Sequence, residues 1–405
     1  MWAAGLVVIA LGAALLLRHF QLTVTDRTQQ HPLLWMLAKG DLAGAYDVSP
    51  TQTSPPGFGW FGLPFYGPLR LVFSPSEAFD VISVACLVPL GIATIAASRV
   101  LGVAARSGRE LASVAAVVLG LPTIANYIEA FHPADVLATA AVLGGFVALA
   151  RRRPTWSFVL LGFAVATRQW AVVPVAVLAV LVPGEERWRL VLGSIGVAVV
   201  LTLPFFLASP DGVMEALAAR DVVRGEIHAV LVVSGNVHVR YLLSRVLPLA
   251  LAALWCAALV RRRAAFAPEV AVGALAVALL LRPLVDPGAF LYYLGPGYAF
   301  AVLLGPRSVR WPAIGGIGSW VLWHRYRLQS RWPALSDDLQ VLAPGLALSV
   351  ATTLLVLAAV VAAARRTLGL VAAGSGEAAA RGPGDPQPGD GVLGRPDAGG
   401  DAHPS

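Results

Sequence analysis

Long apolar runs separated by short polar segments recur along most of the chain. Many of them are close to the roughly 20 residues that a helix needs to cross the hydrocarbon core of a bilayer. The pattern predicts spans at 2–17, 78–98, 111–127, 134–150, 190–208, 242–260, 268–285, 289–305, 309–323 and 340–363. We therefore expect an all-α polytopic membrane protein with about 11–12 membrane segments.

One further apolar run, 156–182, carries a cation near its middle, Arg168, followed by Gln169. A charge at mid-membrane costs about 2.5 kcal/mol or more. Either a kinked helix lets Arg168 snorkel to water, or two short helices, 156–166 and 170–182, form a hairpin with Arg168 at its apex. The hairpin is favoured because it keeps the arginines before and after the run on one side of the membrane. Such broken helices line protein-walled polar cavities.

Arginines cluster at the ends of the apolar runs and indicate the orientation of the chain. The clusters are Arg99/Arg106/Arg109, Arg151–Arg153, Arg187/Arg189, Arg261–Arg263, Arg307/Arg310 and Arg365/Arg366. They fall between every second pair of runs, so the positive-inside rule assigns that face to the cytoplasm. This topology explains the net charge of +7; the expected partner of the basic residues is the lipid bilayer, and no nucleic acid is required.

The position of the N-terminus depends on the segment 57–73. The N-terminus lies outside if this segment spans the membrane, and inside if the segment lies on the membrane or dips into it. Pro64 and Pro68 interrupt a single helix, so we expect the second arrangement, with both termini cytoplasmic. The run 2–17 lacks a basic start and a small-residue cleavage site, which predicts a retained span and not a signal peptide.

The chain divides into a polytopic domain, 1–366, and a tail, 367–405. The tail is rich in Gly, Pro, Asp and Ala and lacks apolar periodicity, which predicts a disordered cytoplasmic segment. The outer face of the polytopic domain is expected to carry the polar segments 19–56, 129–135, 209–240 and 324–338.

The composition and motifs limit the kinds of functional site that the chain can contain. The chain is 57% hydrophobic and 13% charged, where a soluble domain carries about 25% charged residues. Cys86 and Cys256, the two cysteines, fall in predicted spans, so neither a disulfide framework nor a thiolate metal site is expected. No glycine-rich phosphate motif is found. Any group transfer would therefore use a donor available outside the cytoplasm.

The first outer segment holds a candidate catalytic acid, Asp26. A carboxylate fixed at the water–lipid boundary could deprotonate a sugar hydroxyl as a general base, and the adjacent Arg27 could bind phosphate. The pair could equally be a solvated ion pair near the end of a span. Asp41 and Asp47 carry the same group, although Asp41, beside a glycine, resembles a turn residue. The stretch "PLLWMLAKGDLAGAY" resembles a short amphipathic helix on the interface.

The turn "EAFHPAD" precedes the span 134–150. Pro133 and Asp135 suit the first turn of a helix, where proline is tolerated and a carboxylate meets the positive end of the helix dipole. That structural role is sufficient by itself. In the functional interpretation, His132, Asp135 and this helix N-terminus face the same cavity as Arg168, where a lipid phosphate would be attracted.

A third polar group lies in "LRPLVDPGAFLYYLGPGY". Arg282 and Asp286 are four residues apart, a spacing that puts both on one helical face as an ion pair. Tyr292 and Tyr293 suit either an aromatic belt at the membrane interface or a surface on which a sugar stacks.

Taken in order, these features resemble a known family. The early outer acid, the stretch "SPPGFGWFGLPFYGPL", the turn "FHPAD" and the hairpin "ATRQWAVVPVAVL" are similar to those of bacterial membrane glycosyltransferases of the C superfamily, specifically the family 87-like (DUF2029-type) mannosyltransferases. His132–Pro133, Asp135 and the residues Thr167, Gln169, Trp170 and Ala171 match the family's motifs. Phe131, Ala134 and Arg168 stand where the family has Gly, Glu and Lys.

The resemblance implies a GT-C-like fold in a bacterial cell membrane and a polyprenyl-phosphate-sugar donor. The sugar, a mannose-type hexose or a pentose, would pass to a glycan or glycolipid acceptor of the cell envelope on the outer face. Asp26 would be the general base, and Arg168 would hold the donor phosphate with Arg27 and His132. A supporting polar cavity would be formed by Asp135, Gln169, Trp170, Arg282, Asp286 and Tyr293. No cofactor is assigned; a divalent cation is left open.

Two other classes share parts of this pattern. A multi-spanning transporter or lipid flippase also has broken helices and charge at mid-membrane, but the chain shows no internal repeat and concentrates its polar segments on one face. A non-catalytic relative of the glycosyltransferases is the other alternative, because the turn "FHPAD" departs from the family's motif.

Overall fold

The computed structural model describes residues 25–47, 55–102, 107–120, 122–123, 127, 132–218, 237–285, 291–305 and 339–380. Within these ranges the chain forms helices and no β-strand. The α-helices are α1 (Thr25–Ala38), α2 (Gly44–Asp47), α3 (Gly57–Leu69), α4 (Pro75–Ala85), α5 (Leu87–Val100), α6 (Ser107–Val118), α7 (Pro133–Ala150), α8 (Pro154–Thr167), α9 (Val172–Leu181), α10 (Gly184–Ala208), α11 (Pro210–Ala218), α12 (Val237–Arg261), α13 (Pro268–Val285), α14 (Gly295–Leu303) and α15 (Leu339–Ala380). The 3-10 turns are Gln169–Ala171 and Leu291–Leu294.

The described part has the helices of a membrane protein, as the apolar pattern predicts. Four stretches are long and apolar enough to cross a membrane: Pro75–Val100, Pro133–Ala150, Gly184–Ala208 and Thr353–Ala373. Pro154–Thr167, Gln169–Leu181 and Val246–Arg261 are apolar but shorter. The spans predicted at 2–17 and 309–323 lie outside the described residues.

Helices α7 and α8 form an antiparallel pair at the centre of the molecule. Near their connection, Gly145 of α7 packs against Leu161 and Ser157 of α8, while the start of α7 meets the end of α8. The core around them is continuous and largely aliphatic, and α7 has 16 buried residues, the highest number of any described helix. Helix α7 is therefore a central element, and it packs mainly against α8 and α5.

The apolar run 156–182 doubles back on itself, as the hairpin prediction requires. Phe158 of α8 contacts Gly193 of α10. Gly162, four residues further along α8, lies against Ser194 and Val197, which are one and four residues further along α10. Helices α8 and α10 thus run parallel, so α9 has to return the chain from the end of α8 to the start of α10. A single kinked helix over this run is thereby excluded.

Both triple-arginine segments stop a helix in the same way. After α7, the Arg153 N–H donates to Ala148 O at 2.8 Å and the Arg152 N–H to Leu149 O at 2.9 Å, with Arg152 at a φ of 56°. After α12, Arg263 takes the corresponding left-handed position at a φ of 52°. This Schellman arrangement commonly uses glycine. Arginine here adds positive charge beside the negative end of the helix dipole.

The first polar segment, 19–56, packs onto the end of α10 through a small second core. This core comprises Leu33, Leu37, Ala45, Tyr46, Phe205 and Val213. The rings of Tyr46 and Trp60 each meet the Phe205 ring at 5.4 Å between centroids, and the Trp60 Nε1–H donates to Leu201 O at 2.8 Å. Burial raises the pKa of the Tyr46 hydroxyl.

Several predicted boundaries need correction. Helix α6 ends at Val118, because Gly120 and Pro122 interrupt the run 111–127 that was predicted to span. In the predicted span 289–305, the α-helix begins only at Gly295, after a 3-10 turn. Helix α3 runs from Gly57 to Leu69 through Pro64 and Pro68, so the prediction that these prolines interrupt a single helix is wrong. At 13 residues, about 20 Å by the helical rise, α3 is shorter than the roughly 20 residues of a full span.

The predicted start of the disordered tail, residue 367, lies inside a helix. Helix α15 continues to Ala380, and Thr367 is fully buried with its side chain against Gly273 of α13. Arg365 and Arg366 end the apolar run but not the helix, since arginine, alanine and leucine are all good helix formers. The remainder of the predicted tail, 381–405, lies outside the described residues.

Candidate functional site

The candidate site is built around the break between α8 and α9. Arg168 ends α8 with an extended backbone, φ −148° and ψ 126°, and its N–H donates to Ala164 O at 2.8 Å. A 3-10 turn then leads into α9. Pro174 explains the position of the break: it has no N–H to donate to Trp170, and its ring would clash with that carbonyl inside a continuous helix.

An ion pair holds the Arg168 side chain at this break. Its Nη2 lies 3.1 Å from Oδ2 of Asp135, the residue in the first turn of α7. The other oxygen, Oδ1, accepts a hydrogen bond of 2.7 Å from the Trp170 Nε1–H. Both carboxylate oxygens therefore have a donor, and the carboxylate fixes both residues that flank Gln169.

His132 completes this group, which we call the ionic cluster (His132, Asp135, Arg168 and Trp170). Its Nδ1 lies 3.4 Å from Arg168 Nη2. Because a guanidinium only donates, Nδ1 is the acceptor in this contact. His132 is the N-cap of α7, with Pro133 as the first helical residue. The predicted helix start at "HPAD" and its predicted proximity to Arg168 are both found.

The ionic cluster is mostly shielded from solvent. The side chains of Arg168 and Asp135 are 17% and 8% exposed. Desolvating an isolated arginine here would be costly, but the ion pair, the indole hydrogen bond and the positive end of α7 offset much of that cost. The remaining 17% exposure leaves part of the Arg168 side chain accessible from outside the cluster.

Beneath the cluster lies a small cavity that Asp135 lines together with Thr123, Thr139 and Gly295. Its volume is about 10 Å³, close to the minimum for one water molecule. The cavity brings α14 to the ionic cluster, and the hydroxyl groups supply polar contacts at the base of the site.

Helix α3 connects the first polar segment to the break between α8 and α9. Gly57 packs so closely on Thr167, the residue before Arg168, that a Cβ there would collide with its hydroxyl and backbone. The Phe79 ring of α4 lies 5.8 Å from Phe58 and 5.6 Å from His31 of α1. Helix α1 is thus connected to the break by two ring contacts.

The structure describes the backbone but not the side chain of Asp26, the predicted base. Asp26 and Arg27 belong to the first turn of α1, which begins at Thr25, but their side chains lie outside what the structure describes. Asp41, the alternative acid, is exposed, and its Oδ1 accepts the Gly44 N–H at 2.8 Å. Its predicted role as a turn residue is confirmed.

Two polar groups in this region were missed by the sequence analysis. Asp80 of α4 is only 2% exposed, and it follows Phe79, which contacts α1. His31 Nε2 lies 3.3 Å from the Tyr66 hydroxyl. An acid within an apolar run was the available indication for Asp80, but its position near the end of the predicted span 78–98 made it resemble a boundary residue.

The other predicted members of the polar cavity are placed in part. The Arg282 guanidinium lies over the Tyr293 ring, 4.3 Å from its centroid, and this is a cation–π contact. Gln169 is partly exposed in the 3-10 turn beside Arg168. Asp286, the predicted partner of Arg282, lies outside the described residues.

Within the described part of the chain, no three His, Cys, Asp or Glu side chains are close enough together to hold a metal ion. Cys86 and Cys256 are both free thiols.

Comparisons with family models, curated proteins and solved structures gave no significant match to this chain.

Proposed function

We propose that this protein is a membrane glycosyltransferase that uses a polyprenyl-phosphate-sugar donor. It would pass a sugar to a glycan or glycolipid acceptor on the extracytoplasmic face of a bacterial cell membrane. The ionic cluster supports this proposal most directly, because a partly exposed arginine side chain held at a broken helix suits a lipid phosphodiester.

The residues of the cluster come from both motifs that carry the family resemblance. His132 and Asp135 belong to "FHPAD", whereas Arg168 and Trp170 belong to "ATRQWA". These motifs are 35 residues apart in the sequence, and the contact between Trp170 and Asp135 joins them. A shared site is a reason for both motifs to occur in one chain.

In the proposed reaction, Asp26 removes the proton from the acceptor hydroxyl as that oxygen attacks the anomeric carbon. The bond between this carbon and the donor phosphate breaks, which inverts the configuration and releases polyprenyl phosphate. Arg168, with Arg27 and His132, stabilises the charge on the departing phosphate. Asp135 and Trp170 are positioning residues, since they hold the guanidinium and not the substrate.

The arrangement of the arginines supports an outer location for the cluster. The Arg151–Arg153 turn lies at the opposite end of α7 and α8 from the cluster, about 27 Å away by the helical rise of 18 residues. If the arginine turns face the cytoplasm, the cluster faces the outer side, where lipid-linked donors and envelope acceptors are found.

The test of the base is transfer of labelled sugar from polyprenyl-phosphate donors in membranes that contain the full chain. Asp26→Asn should reduce kcat by at least about 100-fold, the usual contribution of a general base. Asp41→Asn is the matched control, an acid of the same segment that bonds a backbone N–H, and it should transfer normally. Equal activity in native protein and Asp26→Asn would reject Asp26 as the base. Absence of transfer with every donor would overturn the proposed function.

The test of the phosphate site is Arg168→Lys, which keeps the charge that Asp135 needs but removes the planar fork of donors. We expect KM for the donor to rise about tenfold with a smaller effect on kcat. Arg189→Lys, with a side chain 69% exposed at the other end of the bundle, is the control. Unchanged KM in Arg168→Lys would contradict a phosphate contact at Arg168.

A further inference from the structure

A second group of cations lies away from the ionic cluster, around Trp35 of α1. The Lys39 Nζ is 4.4 Å from the centroid of the Trp35 ring, and the Arg70 Cζ is 5.9 Å from it. Lys39 is the single lysine of the sequence. Two like charges are therefore held beside one indole ring.

Neither of these cations is neutralised by a carboxylate among the described residues, where the ion pairs are Arg99–Glu110, Arg168–Asp135 and Arg189–Glu185. The acids nearest in sequence bond to the backbone. Asp41 accepts the Gly44 N–H at 2.8 Å, and Glu77 accepts the Ser74 N–H at 2.9 Å. Both cations lie beside the same ring, so an anion bound at that ring would be attracted by both of them.

The surface next to these cations is strongly apolar. Leu71 and Val72, in the turn between α3 and α4, are 88% and 78% exposed, and Phe65 is 51% exposed. The turn is tied to one of the cations, because Arg70 Nη1 donates to Phe73 O at 2.7 Å. An anionic group at Lys39 and Arg70 would thus lie beside exposed aliphatic side chains.

Trp35 adds the third element of this surface. It is partly exposed, and its ring packs edge-on against the buried Tyr66 at 6.4 Å between centroids. Indole rings flanked by lysine and arginine are typical of the membrane–water interface, where the ring lies at the level of the headgroups. The three features together match an amphiphile that has a phosphate head and an apolar tail.

We propose that Lys39, Arg70 and Trp35 bind the phosphate headgroup of an anionic phospholipid, whose acyl chain lies on the exposed turn Leu71–Phe73. The site differs from the Arg168 site and does not depend on the proposed glycosyl transfer. It would anchor the first polar segment and α3 at the membrane interface.

The experiment measures binding of dioctanoyl phosphatidylglycerol to the purified full chain in a neutral detergent by calorimetry. Lys39→Gln/Arg70→Gln should weaken binding by about tenfold or more, since both cations that attract the anionic headgroup are removed. Arg99→Gln/Arg189→Gln removes the same net charge from exposed arginines that already have carboxylate partners, and it should bind as the native chain does.

The apolar part of the site has its own variant. Leu71→Ser/Val72→Ser should weaken binding of the lipid several-fold, because it removes the surface for the acyl chain. Inorganic phosphate at the same concentration should not displace the lipid. Unchanged affinity in Lys39→Gln/Arg70→Gln, an equal loss in the control pair, equally tight binding of dioctanoyl phosphatidylcholine, or displacement by inorganic phosphate would each overturn the proposal.

Discussion

At the scale of single residues, the ion pair between Arg168 and Asp135 explains how an arginine is tolerated within an apolar run. The carboxylate supplies the opposite charge through Oδ2, and the Trp170 Nε1–H donates a hydrogen bond to its other oxygen, Oδ1. A buried ion pair adds little stability compared with an apolar pair, but removing one partner leaves the other charge buried and uncompensated. Loss of either partner should therefore lower the free energy of unfolding strongly, although the intact pair contributes little net stability.

This view predicts strong coupling between the two residues. Arg168→Gln should lower the free energy of unfolding by about 3–5 kcal/mol, the usual result of leaving a buried charge alone. Asp135→Asn should also destabilise the protein, and the double variant should lose less than the sum of the two. Reversible unfolding of the purified protein in detergent measures these differences.

The matched control for this cycle is the exposed pair Arg189–Glu185, 3.8 Å apart and one helical turn from each other on α10. Exposed pairs contribute about 0–1 kcal/mol, so Arg189→Gln and Glu185→Gln should have small and additive effects. Additive losses at Arg168 and Asp135 as well would show that the pair is not energetically coupled.

At the scale of secondary-structure elements, α3 is the contact between the first polar segment and the helix break. Its first residue, Gly57, lies directly against Thr167, and its third-turn residue Gly67 faces open space. The two glycines belong to one helix but have different surroundings. Close packing at Gly57 therefore connects the position of α3 to the geometry of Arg168.

Gly57→Ala should destabilise the protein by about 1–3 kcal/mol, because the added methyl group collides with the Thr167 backbone and cannot be relieved by a side-chain rotation. Gly196→Ala in α10, where no atom from another part of the chain lies within 4 Å of the added Cβ, should be neutral or slightly stabilising, since alanine favours a helix. Thermal unfolding in detergent compares the two variants; equal midpoints would contradict the close packing at Gly57.

At the scale of the whole molecule, the parallel arrangement of α8 and α10 places the ionic cluster and the arginine turns at opposite ends. Helix α7 runs from the end of the ionic cluster to the end of the Arg151–Arg153 turn, and α8 runs back. Helix α9 then leads away from the cluster again, and α10 runs parallel to α8. Two short helices thus replace one long span, and the outward face of α10 remains apolar. Its exposed residues include Leu192, Val200, Leu203 and Leu207, as expected for contact with lipid.

This topology can be tested with single cysteines in a background that carries Cys86→Ala and Cys256→Ala. Arg152→Cys and Glu185→Cys, at exposed positions before α8 and at the start of α10, should react with a membrane-impermeant thiol reagent from one side of the membrane. Asp211→Cys, exposed after α10, should react from the other side. Labelling of Arg152→Cys and Glu185→Cys from opposite sides would contradict the hairpin.

The sequence could predict those features that depend on local pattern. The helical membrane class, the spans near 78–98, 134–150 and 190–208, and the break at Arg168 all follow from runs of apolar residues and from the positions of charges. The tail boundary at 367 was wrong for a related reason: composition showed where the apolar run stops, but a helix that includes Thr367 continues beyond it. Hydropathy reports the environment of a segment and not its backbone conformation.

The partnerships within the site were decided by tertiary structure. The sequence placed His132, Asp135 and Arg168 in one cavity but could not pair Asp135 with Arg168 and Trp170, because that contact joins residues 35 positions apart through the antiparallel packing of α7 and α8. Burial of Asp80 and the placement of two cations beside Trp35 depend in the same way on how α1, α3 and α4 pack. Apolar periodicity determines which segments enter the membrane, since transfer of each segment is nearly independent of the others. Which polar side chains meet there depends on helix packing, a property of several segments at once.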